Sequence, residues 1–113
     1  MFDVFENINS DYFGLCFDSS HSWLYEKEEN EVLKKLSEKL FCVHFSDNDK
    51  KEDKHWLKID GQNNWYNMLK YFPKNEKNVN ISLEVFPKDD KNEIIFLEKA
   101  YKMANEIRDI IIE

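Results

Sequence analysis

Apolar and polar positions fall into three short runs of period two, each followed by a longer stretch with helical spacing. The runs are Tyr12 to Asp18, Leu40 to Ser46 and Val79 to Val85. They are rich in aromatic and β-branched residues, which favours strands. Side chains alternate faces along a strand. One face of the three runs holds Gly14, Cys16 and Asp18; Cys42, His44 and Ser46; Asn80, Ser82 and Glu84. The other holds Phe13, Leu15 and Phe17; Phe41, Val43 and Phe45; Ile81, Leu83 and Val85. The second face is large and apolar, suited to packing under helices. The first is small and polar, suited to lining a site.

The stretches between are helical. Glu28 to Lys39 carries the stripe Val32, Leu33, Leu36 and Leu40, with acids early and lysines late, as a helix dipole prefers. Asn64 is an N-cap for a second helix with the stripe Trp65, Met68, Leu69 and Phe72, stopped by Pro73. Asp89 or Asp90 is expected to cap a third helix over about Lys91 to Ile112. Its expected apolar face is Ile94, Leu97, Tyr101, Ala104, Ile107 and Ile111. Met1 to Ser10 reads as a helical turn or tail, and His21 to Lys27 as a loop with at most a turn of helix. Asp47 to Asn63 is a long loop, and long ordered loops often carry function.

The order β-α-β-α-β-α implies parallel strands with right-handed crossovers. The fold class is therefore α/β, and all three strand C-termini share one edge, the edge at which such folds place their sites. Asp18, His21, His44, His55 and Glu84 gather there. At 113 residues one domain is expected. A formal net charge of -7 disfavours a nucleic-acid partner, which usually meets a basic surface. There is no basic n-region with an apolar h-region at the start, and no apolar run of membrane-spanning length. Two cysteines, expected as free packed thiols, suit a reducing cytoplasm.

Asp18, His44 and Glu84 form a mixed carboxylate and imidazole set at one level of adjacent strands. Such a set suits a divalent cation, and the imidazole favours Mn²⁺ or Zn²⁺ over Mg²⁺. Glu84 between Leu83 and Val85 is costly inside a strand without a partner. Trp56, beside His55 in the long loop, is an aromatic surface for a ligand, whereas Trp65 falls on a core stripe.

The pieces GLCFDSSHSWLY, VHFSDND with the following DKHW, DGQNNW, and ISLEVF resemble, in that order, the last three strands of the xylose isomerase-like TIM-barrel superfamily. That superfamily comprises sugar-phosphate isomerases and epimerases, with the apurinic endonucleases as cousins. The resemblance implies a partial barrel of three β/α units. It implies that Asp18, His44 and Glu84 bind a divalent metal and that Glu84 is catalytic. His21 would contact substrate or a second metal. Asp53 is an additional candidate metal ligand, because the D-x-H pair of Asp53 and His55 binds metal in the endonuclease branch. His21, His55 and Trp56 form the expected substrate-binding set. The implied reaction is proton abstraction next to a metal-polarised carbonyl, through an enediolate shared by two carboxylates. The substrate would be a sugar or sugar phosphate.

The sequence departs from the family in three ways. A complete barrel takes about 250 residues and eight strands. The family's other metal-binding glutamate, half of its acid-base pair, comes from an earlier strand. Around Lys58 and Ile59 the family usually shows Pro and Gly. The chain is thus expected to be the C-terminal portion of a barrel, weakly active or inactive alone. An apurinic endonuclease-like phosphodiesterase and a non-catalytic assembly module are the competing readings. The open edges and face of a cut sheet would invite a homo-oligomer, measurable by light scattering; a monodisperse monomer would contradict that expectation.

Overall fold

The computed structural model describes residues 2–74, 80–89 and 91–112. Two parallel strands, β1 (Leu15–Asp18) and β2 (Leu40–His44), form its sheet. The expected third strand, and with it a third β/α unit, does not form as a strand among the described residues. Asn80 and Leu83 make isolated parallel bridges to Cys42 and Phe45, and no further regular pairing joins them among the described residues. The Phe45 N–H donates to the Ser82 carbonyl at 2.8 Å and the Glu84 N–H to the Phe45 carbonyl at 3.0 Å. The segment therefore runs beside β2 in the expected direction. Val79 lies outside the described residues.

The apolar face packs as the period predicts. Leu15, Phe17, Val43 and Phe45 are buried, and Ile81, Leu83 and Val85 pack partly against the same core. Phe41 departs from the alternation. The ladder shifts between Leu15 and Cys16, so Leu15 pairs with Leu40 while Cys16 pairs with Cys42. This bulge lets both Leu40 and Val43 face the core and turns Phe41 outward. The Phe41 ring then lies where a side chain on Gly14 would stand, so only glycine fits at 14.

Among the described residues five α-helices accompany the sheet. α1 (Phe2–Asn7) is the expected N-terminal turn, with Phe5 against Phe13 at 4.8 Å between ring centroids. α2 (Ser19–Tyr25) replaces most of the expected loop, because the Asp18 carboxylate caps it by accepting the His21 N–H at 2.9 Å. α3 (Glu31–Leu36) starts later than the spacing predicts and ends in a 3₁₀ turn, Ser37–Lys39. Asn30 sits in the left-handed region at φ 61°, and the Glu26 carboxylate accepts the Val32 N–H at 2.6 Å. α4 (Trp65–Leu69) is capped by Asn64 as expected.

α5 (Glu93–Ile112) is rotated relative to the expected face. Ala100, Met103 and Ile107 are buried, with Phe96, Ile110 and Ile111 beside them. Ile94, Leu97 and Tyr101 are 68%, 63% and 74% exposed. The helix carries two overlapping apolar stripes of the same period, so periodicity alone cannot choose between them. Small Ala100 sits on the buried stripe, and the Lys58 N–H reaches Met103 Sδ at 3.4 Å. The cap also differs from the expectation. The Asn92 side chain accepts the N–H groups of Ile94 and Ile95, at 3.0 and 3.3 Å, in place of Asp89. Asp90 lies outside the described residues.

Candidate metal centre

Register builds the centre. Asp18 and His44 are partners across the parallel ladder, both at strand ends and both turned from the core. The backbone bonds around Phe45 then set Glu84 on the other side of His44. One ligand atom from each of Asp18, His44 and Glu84 lies within 4.8 Å of the others. His44 Nδ1 stands 3.7 Å from Glu84 Oε2, and these two side chains are 45% and 51% exposed. Two carboxylates and an imidazole are a fitting donor set for a divalent ion. Ligand oxygens and nitrogens around such an ion sit about 3 Å apart, given bonds near 2 Å. The half-exposed His44 and Glu84 have the freedom to close that difference. Asp18 also caps α2, so it serves the fold as well as the candidate centre.

A second cluster adjoins the first through Asp18. His21 Nδ1 is 3.5 Å from Asp18 Oδ2, and His21 Nε2 is 2.9 Å from Asp53 Oδ2. His55 Nε2 lies 3.3 Å from the same Asp53 oxygen. Burial pushes the Asp53 carboxyl up. The Ser20 hydroxyl and the His21 and His55 imidazoles outweigh that and hold it below the usual range. His55 Nδ1 donates to the Glu84 carbonyl at 2.8 Å, which leaves Nε2 for the carboxylate side. His55 takes a left-handed backbone, φ 54°, and its ring meets Phe86 edge-on at 5.4 Å. Trp56 is engaged elsewhere. Its backbone pairs with Asp47, and the Lys88 ammonium lies 4.4 Å from its ring centre.

The loop from Asp47 to Asn63 is anchored by buried polar groups. Asp47 is fully buried and accepts from Trp65 Nε1 at 2.6 Å, Asn63 Nδ2 at 2.7 Å and the Asn48 N–H at 2.7 Å. Asn48 donates to the Ser20 hydroxyl at 2.9 Å and accepts from Asn63 at 2.8 Å. The Ser19 hydroxyl donates to the Ser46 carbonyl at 2.7 Å, tying the start of α2 to the end of β2. The loop that carries Asp53 and His55 is thereby fixed against the strand ends that carry Asp18 and His44.

Residues 1–105 match the protein family described as xylose isomerase-like TIM barrel. The chain belongs to that family. It is also similar to a protein of uncharacterised function from Sinorhizobium fredii, at 36% identity over 62 residues. That match covers 55% of this chain and 20% of the relative, so the matched stretch spans about a fifth of the relative's length. No solved structure matches. Among the described residues no helix is long and apolar enough to cross a membrane.

Within this xylose isomerase-like chain, sequence reasoning missed Ser20, Asp47 and Asn48 as supports of the site. A signal for Ser20 was present, since two serines directly after a strand and before a helix can bond to neighbouring groups. A hollow of about 370 Å³ opens beside the centre, lined in part by Cys16, Asp18, His21, Tyr25 and Glu26. Burial raises the Glu26 carboxyl above its ordinary value, against the Val32 N–H that lowers it, with Glu31 adding to the rise. Its Oε2 is buried with no hydrogen-bond partner among the described residues. A raised carboxyl supports the fold fully below the unfolded pKa, about 4.3, and loses that support as pH rises through the folded pKa. Glu26→Gln is therefore expected to raise stability at pH 7 and to flatten its pH dependence above pH 4. Urea midpoints between pH 4 and 7 check this; a variant less stable at pH 7 would contradict it.

Proposed function

We propose that this chain carries the metal-binding edge of a sugar or sugar-phosphate isomerase or epimerase barrel. The observation that carries the reading is the convergence of Asp18, His44 and Glu84 within 4.8 Å, in a chain of this family. Asp18, His44 and Glu84 would hold Mn²⁺ or Zn²⁺. A bound divalent ion would supply polarisation of a substrate carbonyl. Glu84, at the open end of the set, moves a proton at the neighbouring carbon as general acid and base. His21 and His55, oriented by Asp53, meet the substrate's hydroxyl or phosphate oxygens. Dialysis of the purified protein against Mn²⁺ and Zn²⁺, followed by metal analysis, tests the reading. One ion per chain is expected, with Mg²⁺ a poor competitor; a protein that retains neither metal would overturn it.

A second reading rests on the cluster of His21, Asp53 and His55 beside the first set. Two imidazoles and a carboxylate are the ligand types of a second ion, which is the reading of an apurinic endonuclease-like phosphodiesterase. The acidic net charge of -7 weighs against a DNA partner. Two ions per chain together with incision of DNA at abasic sites would favour this second reading.

A further inference from the structure

Cys16 and Cys42 each stand two residues before a member of the metal set, and they are partners across the parallel ladder. Neighbouring strands lie about 4.8 Å apart, inside the roughly 4.4–6.8 Å Cα separation that a disulfide spans. Leu15 and Phe17, which flank Cys16, are buried, and Cys42 lies between outward-turned Phe41 and buried Val43. Cys16 is exposed and Cys42 is half-buried. Thiols packed for their volume lie among core side chains. Neither belongs to the buried core cluster.

We propose that Cys16 and Cys42 form a reversible disulfide, a thiol-modification site one step beneath Asp18 and His44. The co-reactant is a hydroperoxide. Both S–H bonds and the O–O bond break, the sulfur–sulfur bond forms, and two waters leave when the hydroperoxide is hydrogen peroxide. The thiols give up two electrons and two protons, and the peroxide oxygens take them. Cys16 Sγ also lies 3.9 Å from His44 Nε2. Closure would tie β1 to β2 below the metal set.

The test uses the full chain, first reduced and then incubated with hydrogen peroxide. Intact mass and thiol alkylation after denaturation are the readouts. The expected result is loss of two hydrogens per chain and of both alkylatable thiols, with both restored by a thiol reductant. Cys16→Ser and Cys42→Ser should each give no such intramolecular product. Wild-type protein that keeps both thiols alkylatable, or loses them only through oxygen addition or bonds between chains, would overturn the proposal.

Discussion

Replacing Asp47 by alanine is expected to destabilise the protein by about 3–5 kcal/mol. The carboxylate is fully buried and accepts from the Trp65 indole, the Asn63 amide and the Asn48 backbone. Its removal strands several buried donors, each costing about 1–3 kcal/mol. Trp65 is itself a core residue, in edge contact with Trp23 and Phe45. Set against a typical stability of about 5–15 kcal/mol, the loss is large. Asp47→Asn should not rescue it, because its amide would bring N–H groups against donors. Gly61 belongs to the same argument, since any side chain there would collide with Asp47. Urea unfolding of Asp47→Ala measures the effect. A loss under about 1 kcal/mol would mean that the loop is held by something else.

The second large effect is on turnover. The isolated chain is expected to isomerise sugars and sugar phosphates far below ordinary enzymatic rates. The proton must be taken from one carbon and returned to another, or to the opposite face. Glu84 is one carboxylate for that work, and the resemblance implies a second on a strand that is not among the three runs of this sequence. A barrel also encloses its substrate with about eight strands, and here the polar face of the sheet is open, with Cys16 and Ser82 exposed. An assay with aldose and ketose phosphates, on protein free of host isomerase, checks the expectation. Turnover at roughly 1 per second or faster would contradict it.

The candidate site was legible in the sequence because it depends on two simple regularities. Period two put Asp18, His44 and Glu84 on one face, and parallel register put them at one level. The same regularities failed where a local event broke them. The bulge at Phe41 reversed one side chain without any glycine or proline in β2 to announce it. α5 offered two overlapping apolar stripes of equal period that share Ile107, and packing on Ala100 and Met103 selected the one not expected. The support of the loop was hidden for a different reason. A run of Ser, Asp and Asn reads as solvated loop, yet Ser46, Asp47 and Asn48 are all buried. Only the tertiary placement of Trp65, Asn63 and Ser20 explains why burying them is tolerated. The left-handed backbone at His55 had no glycine to mark it, and it is this turn that sets Nδ1 on the Glu84 carbonyl.

The central claim is that Asp18, His44 and Glu84 together hold one divalent ion. Titration calorimetry of Mn²⁺ and Zn²⁺ into the wild-type protein and His44→Ala tests it most directly. His44 is half exposed and on the side of the sheet away from the core, so its truncation should leave the fold intact, as circular dichroism would verify. The account predicts a saturable site in the wild type and at least about 100-fold weaker binding in His44→Ala, or about 2.7 kcal/mol. Equal affinity in the two proteins would contradict it.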